Sequence, residues 1–218
     1  MIVRTWRRCV QAVAEDQVYV ATDDQRILEV CQREGIQCCM TSSDCLTGTD
    51  RVAEFARSVD ADTYINVQGD EPLFNPDDIV ALMEEARQYP EDIINGFCPI
   101  DDEVDFRSTA IPKVVCRPDG RLLYMSRAAI PTSKSLAFEG ASRQVCAYAF
   151  PKAALKAFAA SKQKTPCEAI EDIEILRFLE LGYEVRMIPM SSESIAVDLH
   201  EHVSKVVQRL KDELAKTL

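Results

Sequence analysis

Short runs of β-branched and aromatic residues alternate along this chain with runs whose apolar residues recur at helical spacing. The first strand-like runs are VYVAT at 18–22, IQCCMT at 36–41 and TYINVQ at 63–68. Helical patterns separate them, and strands that alternate with helices in this way are typical of parallel βαβ units. We therefore predict an α/β fold of the Rossmann-like kind, an open, mostly parallel, twisted sheet with helices on both faces.

Capping residues indicate where several of these helices begin and end. The sequence predicts a first helix at 2–15 and a second that begins at an Asp and stops at Gly35. It predicts a third helix from residue 48, with Thr49 as its N-cap. Another helix has Pro in its first turn and Pro90 beyond its end. These signals match the known preferences of helix termini.

The alternation changes between residues 99 and 150, where two short strands surround a Pro-Asp-Gly turn and a third strand follows a polar loop. We interpret this segment as a small β-rich insertion. One periodic helix is predicted at 167–183, followed by a strand at 184–190 and a closing helix at 200–218. No internal repeat or low-complexity linker interrupts the chain, so we predict a single domain over residues 1–218.

The charge and the cysteines exclude several classes of protein. The net charge is -11, from 36 acidic and 25 basic residues, and without a basic stripe we expect no nucleic-acid partner. No apolar run approaches the roughly 18 residues that cross a bilayer, so we expect no membrane insertion. The nine cysteines are dispersed and contain no C-x-x-C pair. This pattern predicts free thiols in a reducing cytoplasm and no structural metal–cysteine site.

One predicted strand ends directly in the sequence Gly-Asp-Glu-Pro, which includes Asp70. A buried carboxylate is costly unless it is paired or binds a metal ion. In open α/β sheets, ligands bind beyond the carboxyl ends of the strands. We therefore expect Asp70 to face a ligand crevice. The alternative is that Asp70 only caps a helix or a turn.

Six segments, in order, resemble one enzyme family. They are VYVATDD (18–24), MTSSDCLTGTDRVAE (40–54), NVQGDEPL (66–73), PKVV with LLYMSRAAIP (112–115 and 122–131), CEAIEDIEILRFLELG (167–182) and IAVDLHEHV (195–203). Together they resemble the CMP-Kdo synthetases, cytidylyltransferases that activate 3-deoxy-manno-octulosonate (Kdo) for bacterial surface polysaccharides. NVQGDEPL is the most distinctive of them.

The resemblance implies a fold of the nucleotide-diphospho-sugar transferase type and a reaction. CTP and a 2-keto-3-deoxy sugar acid, most simply Kdo, would give a CMP-sugar and pyrophosphate. Asp70 and Asp198 would be the catalytic carboxylates and would hold Mg²⁺, which prefers oxygen ligands and substrate phosphates. The resemblance also implies a homodimer formed through the segment at 99–150.

Further site residues are carried over from the same motifs. Gln68, Arg51 and Thr49 would contact the nucleotide. The residues implied for the sugar acid are Arg127, Gln144, Tyr148, Glu171 and Glu174. Arg127 would bind the sugar carboxylate as a fork, and the two glutamates would accept hydrogen bonds from hydroxyl groups. Lys113 would be a second anion contact or an ordinary strand-end lysine. Plainer alternatives remain for the others: a surface salt bridge for Arg51 and a solvated helix face for the glutamates.

The chain departs from the family pattern in two places. Its first residues match the helix that follows the first strand and the phosphate-binding loop of the family. Roughly 25 residues that would form this strand and loop therefore have no counterpart. Loops of this kind supply N–H groups and cations to phosphates. We expect a start that was placed too late; the alternatives are a fragment and a chain in which another segment fills the gap. In addition, Gln144 replaces a common His. Two alternatives therefore stay open: a cytidylyltransferase for a related nonulosonic or amino sugar acid, or a catalytically inactive truncated remnant.

Overall fold

The computed structural model describes residues 1–192, 194, 196–197 and 200–217. Within them the chain forms two compact units. The first takes in Met1–Met40, Val67–Ala81 and the described residues from 194 onwards, and the second takes in Thr41–Asn66 and residues 82–192. The expectation of a single domain stays a prediction.

Helices and strands alternate along the described residues as the sequence predicts. The helices are α1 (Ile2–Ala12), α2 (Gln25–Glu34), α3 (Gly48–Phe55), α4 (Pro76–Gln88), α5 (Glu103–Arg107), α6 (Lys152–Phe158), α7 (Pro166–Glu171), α8 (Ile175–Glu180) and α9 (His200–Thr217), with a 3-10 turn at Glu15–Gln17. The strands are β1 (Val20–Thr22), β2 (Cys38–Met40), β3 (Thr63–Val67), β4 (Ile93–Ile100), β5 (Lys113–Cys116), β6 (Leu122–Ser126), β7 (Ala141–Pro151) and β8 (Val185–Pro189). None of the described helices is long and apolar enough to cross a membrane.

In the first unit, β1 and β2 pair in parallel to form a two-stranded sheet. Its core contains Val20, Cys31 and Ile36, and the apolar face of α1 packs against them. Helix α2 ends as predicted, because Gly35 adopts a left-handed conformation (φ 73°) that favours glycine. Its predicted Asp start is Asp24, whose side chain accepts a hydrogen bond from the Arg26 amide at 2.8 Å.

The second unit contains a six-stranded sheet with the order β6-β5-β7-β4-β8, in which β3 also pairs with β7. The parallel pairs, β1–β2 and β4–β8, lie outside the predicted insertion. The antiparallel pairs that the structure describes, β4–β7, β5–β6 and β5–β7, all involve strands of that β-rich segment. The predicted open α/β class is confirmed. Strands β1 and β3 belong to different sheets.

A bulge interrupts the pairing of β4 with β7. Asn95 lies opposite Tyr148, but the next residue, Gly96, lies opposite Val145, so β7 contains extra residues at this step. A Cβ atom at Gly96 would lie 2.1 Å from the sulfur of Met190, so any larger residue here would require the Met190 side chain to move. The bulge redirects the side chains of β7, as such irregularities do near functional sites.

A buried ion cluster connects several helices of the second unit. Arg177 in α8 is fully buried, and its guanidinium forms two 2.6 Å hydrogen bonds to the Glu168 carboxylate, which is also fully buried. It contacts Asp50 of α3 at 3.1 Å and lies 3.6 Å above the centre of the Phe158 ring. The cluster therefore ties α3, α7 and α8 together.

Two local predictions are wrong. The single helix expected at 167–183 is divided, because Asp172 adopts a left-handed conformation (φ 52°) between α7 and α8. The N-cap of α3 is Thr47 rather than Thr49. The Thr47 hydroxyl accepts a hydrogen bond from the Asp50 amide at 3.2 Å, whereas Thr49 lies inside the helix.

Candidate active site

The Gly-Asp-Glu-Pro segment follows β3 and forms a turn in the first unit. The Gly69 carbonyl accepts a hydrogen bond from the Thr5 hydroxyl of α1 at 3.0 Å. A Cβ atom at Gly69 would lie 3.0 Å from the side chain of Ile2, so only a glycine permits this close approach without a shift. Helix α1 thus fixes the backbone immediately before Asp70.

One carboxylate oxygen of Asp70 is buried. The Asp70 carbonyl accepts a hydrogen bond from the Val197 amide at 3.0 Å. The next residue, Glu71, is also buried and accepts a hydrogen bond from the Ser194 hydroxyl. The chain just before Asp198 therefore runs beside Asp70, while Asp198 itself lies outside the described residues.

Gln68 follows the last residue of β3 and is half-buried. Its carbonyl accepts a hydrogen bond from the Glu71 amide at 3.2 Å, which closes the turn that contains Asp70. Arg51 in α3 donates a hydrogen bond from its guanidinium to the buried Thr41 hydroxyl. The roles of Gln68 and Arg51 in nucleotide binding stay predictions.

Two residues that were assigned to different substrates contact each other. The Glu174 carboxylate accepts hydrogen bonds from the Gly48 amide at 3.0 Å, the Thr49 amide at 2.9 Å and the Thr49 hydroxyl. These are the first amides of α3, whose positive end favours an anion. Burial raises the pKa of Glu174, although the hydrogen bonds from Thr49 and Gly48 oppose this rise. Glu174 therefore stabilises the start of α3, and the Thr49 side chain is fully buried.

Glu171 lies at the centre of a second hydrogen-bond network. Its carboxylate accepts hydrogen bonds from the Ser126 hydroxyl at 2.6 Å, the Arg127 amide at 2.9 Å and the Tyr124 hydroxyl at 3.4 Å. Burial by itself would raise the pKa of Glu171. These hydrogen bonds and the charge of Arg127 outweigh burial and hold the pKa below its ordinary value. Glu171 is thus not a freely solvated helix residue.

The Arg127 guanidinium donates mainly to backbone carbonyls. Its partners are the oxygens of Glu171 at 2.5 Å, Asp172 at 2.9 Å and Thr109 at 3.0 Å. Most of its donors are engaged in this way. The predicted fork onto a sugar carboxylate would require Arg127 to exchange some of these partners, and it stays a prediction.

Lys113 at the start of β5 is fully buried. Its ammonium donates to the carbonyls of Ser108 and Ile111 at 2.6 Å and of Arg127 at 2.7 Å. Burial lowers the pKa of Lys113, and the charge of Arg127 lowers it further. In this structure Lys113 stabilises the backbone around Arg127. It is neither an exposed lysine at a strand end nor accessible as an anion contact.

The predicted sugar residues on β7 form a buried group with one residue that sequence reasoning missed. The Gln144 amide nitrogen donates to Asn95 Oδ1 at 3.0 Å and lies 3.3 Å from the Tyr148 hydroxyl. The Tyr148 ring stacks on Phe150 with 5.3 Å between ring centres. The structure thus brings Gln144 and Tyr148 together at the bulge of the sheet.

A signal for Asn95 was present in the sequence. It is an amide in an otherwise apolar strand, and a buried amide needs hydrogen-bond partners. Its partners come from β7, about fifty residues later, so the strand pattern alone does not identify them. Ser126 was inconspicuous for the same reason, since its partner Glu171 lies 45 residues later.

The network around Glu171 leads to a prediction about stability and pH. Because the pKa of Glu171 is lowered, its contribution to stability is present above its ordinary pKa of about 4.3 and is lost as the pH falls through the lowered value. We expect Glu171→Gln to lower the free energy of unfolding by about 1–2 kcal/mol at pH 7. The difference should shrink at pH 3, as measured by urea unfolding.

Glu139 offers a matched control, because it is exposed in the loop before β7. Glu139→Gln should change the free energy of unfolding by no more than about 0.5 kcal/mol at either pH. An equal loss of stability for Glu171→Gln at pH 7 and pH 3 would contradict the assigned network.

The comparisons with known proteins identify the family. The model of the cytidylyltransferase family matches residues 1–194. The chain belongs to the cytidylyltransferase family. The 3-deoxy-manno-octulosonate cytidylyltransferase of Acidobacterium capsulatum is 37% identical over 195 residues, which cover 89% of this chain and 79% of the relative. That of Chlorobium phaeobacteroides is 37% identical over 217 residues, which cover 97% of this chain and 87% of the relative. The resemblance to the CMP-Kdo synthetases is confirmed.

Solved structures agree with this membership of the cytidylyltransferase family. A CMP:2-keto-3-deoxy-manno-octonic acid synthetase complexed with CTP has a TM-score of 0.85 and 29% identity to this chain, and the match covers 100% of this chain and 88% of that one. A 4-diphosphocytidyl-2C-methyl-D-erythritol synthase from Anaerococcus prevotii has a TM-score of 0.64 at 13% identity and shares the fold. The predicted nucleotidyltransferase fold is therefore confirmed.

Proposed function

We propose that this cytidylyltransferase transfers the cytidylyl group of CTP to Kdo and releases CMP-Kdo and pyrophosphate for surface polysaccharide synthesis, including lipopolysaccharide. The observation that carries the proposal is the likeness, over the whole chain, to a synthetase of that activity solved with CTP, at a TM-score of 0.85. The match of residues 1–194 to the family favours an enzyme over the inactive remnant.

Catalysis of this reaction depends on positioning and on neutralising charge, because a sugar hydroxyl attacks the α-phosphate. The segment containing Gln68 and Asp70 would hold the nucleotide side of the reaction. The group on β7, with Gln144 and Tyr148, would orient the sugar acid. One hydrogen bond fixes the backbone beside Asp70 and another fixes the side chain of Gln144, so each part by itself is formed before substrates arrive.

We propose Mg²⁺ as the cofactor, held by Asp70 and Asp198. The chemistry of these donors fits, since Mg²⁺ binds through one or two carboxylates together with substrate phosphates. Two structural observations support it: Asp70 Oδ1 is buried, and the backbone just before Asp198 bonds to Asp70. The described residues contain no group of three or more His, Cys, Asp and Glu side chains suited to a metal. When bound, Mg²⁺ would neutralise phosphate charge.

We propose a homodimer in the cytoplasm. The segment at 99–150 exposes large apolar side chains, which favours an interface there. Val104 is 80% exposed, Leu136 62% and Leu123 56%. All nine cysteines are free thiols, which fits a reducing compartment. Sedimentation equilibrium would test the dimer, and Leu123→Asp should weaken association while Leu46→Asp, outside the segment, should not.

The experiment for the reaction is a coupled assay of pyrophosphate release. We expect turnover only when CTP, Kdo and a divalent cation are all present, and excess EDTA should abolish it until Mg²⁺ is restored. ATP and UTP in place of CTP serve as controls for the nucleotide. Turnover of a nonulosonic or amino sugar acid, with none for Kdo, would replace Kdo by that substrate class. Absence of turnover with every sugar acid would contradict the proposed function.

A further inference from the structure

The hydrogen bonds of Asn95 determine which way its amide points. Asn95 lies in β4 and is fully buried. Its nitrogen is 2.9 Å from the carbonyl oxygens of both Val145 and Ala147 in the bulged part of β7. Carbonyl oxygens only accept hydrogen bonds, so the side of the Asn95 amide that faces them must carry the two N–H donors. Its oxygen, Oδ1, must therefore face the opposite way.

The orientation of Asn95 then determines the orientation of Gln144. Asn95 Oδ1 is an acceptor, and the atom of Gln144 that lies 3.0 Å from it must be a donor, which is the amide nitrogen Nε2. The second proton of Nε2 points to the Tyr148 hydroxyl at 3.3 Å. Both donors of Gln144 are thus engaged within the protein.

The polar atom that remains is the Gln144 oxygen, Oε1. In the part of the chain that the structure describes, no group donates a hydrogen bond to it. Since Gln144 is 8% exposed, this oxygen offers a ligand one fixed acceptor in a largely dry environment. An acceptor attracts a hydroxyl or an ammonium group and repels a carboxylate.

We propose that Asn95 is a positioning residue that makes Gln144 an acceptor, so that this part of the sugar site binds a hydroxyl group of the sugar acid and not its carboxylate. The inference rests on the proposed function, and it adds a specificity determinant to it. Since Asn95 is buried, it acts through Gln144 and does not touch the substrate.

The test compares sugar acids that differ by one group, using the intact chain and three variants. The substrates are Kdo, analogues that each lack one hydroxyl other than the reacting one, and an analogue with a carboxamide in place of the carboxylate. Gln144→Met keeps the length of the side chain without its polar atoms. Asn95→Leu removes the positioning contact. Gln11→Met is the control, because Gln11 is an exposed residue of α1 whose amide donates to one backbone carbonyl.

We expect one deoxy analogue to lower kcat/KM of the unaltered chain by about 10- to 100-fold, because a buried acceptor is left without its partner. In Gln144→Met, the same analogue and Kdo should have kcat/KM values within about twofold of each other. Asn95→Leu should lose the same discrimination while the KM for CTP stays within about twofold. Gln11→Met should behave as the unaltered chain. If Asn95→Leu does not fold, Gln144→Met still tests whether Gln144 binds a hydroxyl group.

Other results would overturn the inference. In one such result, Gln144→Met would lose the kcat/KM difference between Kdo and the carboxamide analogue but keep the difference between Kdo and every deoxy analogue. Gln144 would then be a carboxylate contact. In another, Gln144→Met would turn over Kdo normally and discriminate against every analogue as the unaltered chain does. Gln144 would then lie outside the sugar site, and the proposed function would remain intact. No turnover of any sugar acid by the unaltered chain would overturn the proposed function and this inference together.

Discussion

Replacing Asp70 with Asn should lower kcat/KM for CTP and Kdo by about a thousandfold, which corresponds to several kcal/mol of lost charge stabilisation. The asparagine side chain has nearly the same shape but carries no charge, so it binds Mg²⁺ and its phosphate ligands weakly. The backbone around Asp70 is held by Thr5 and Val197 through contacts that the substitution leaves in place. Steady-state kinetics at several Mg²⁺ concentrations would measure the loss.

Asp77→Asn is the matched control for this experiment. Asp77 lies seven residues later, in the first turn of α4, and its side chain is exposed. We expect kcat/KM for Asp77→Asn to stay within about twofold of the unaltered chain. Thermal unfolding should show that both variants remain folded. Equal kinetic effects of the two substitutions, or an Asp70→Asn variant with full activity, would contradict the role given to Asp70.

Replacing Arg177 with Ala should lower the free energy of unfolding by about 3–5 kcal/mol, the usual cost of leaving a buried charge without its partner. The side chains of Arg177 and Glu168 are both fully buried, and the two groups bond at 2.6 Å through two nitrogens. Asp50 would also lose a partner at 3.1 Å, and Phe158 would lose the guanidinium above its ring. Urea unfolding followed by far-UV circular dichroism would measure the change.

Two further variants test whether the lost stability comes from the geometry of the Arg177–Glu168 contact or from its charge. Arg177→Lys keeps the positive charge but cannot form the two-point contact with Glu168, so it should recover only part of the lost stability. Arg26→Ala is the exposed control, because Arg26 pairs with Asp24 at 2.5 Å while 89% of its side chain is exposed. Its loss should be far smaller than that of Arg177→Ala, because exposed ion pairs contribute little to stability. A similar loss for Arg26→Ala and Arg177→Ala would contradict the importance of the buried cluster.

Periodicity in the sequence was sufficient to predict most of the fold. The strands of the first unit and helix α2 lie where the patterns indicated, since Asp24 and Gly35 act locally at the two ends of that helix. The segment rich in short strands contains β5 and β6 and supplies the antiparallel pairings. The break at Asp172 was missed because the apolar spacing of α7 and α8 continues across it.

The candidate site was harder to predict, because its residues act through partners that are distant in sequence. Glu174 was expected to contact a sugar, but its carboxylate accepts hydrogen bonds from Gly48 and Thr49, more than a hundred residues earlier. Arg127 was expected to bind a carboxylate, yet it donates mainly to backbone carbonyls of another segment. Side-chain type alone does not distinguish a group that binds a ligand from one that supports the backbone.

The sequence by itself determined the α/β class, the order of the elements and the family, because helical and strand periods and short motifs are local properties of the chain. Only the tertiary structure decided how the polar residues are used. Asn95 and Gln144 show this most clearly: they are 49 residues apart, and which of their atoms donate depends on two carbonyl oxygens in a bulge of β7. The direction of a hydrogen bond is fixed by all its neighbours in space, and those neighbours exist only once the strands have paired.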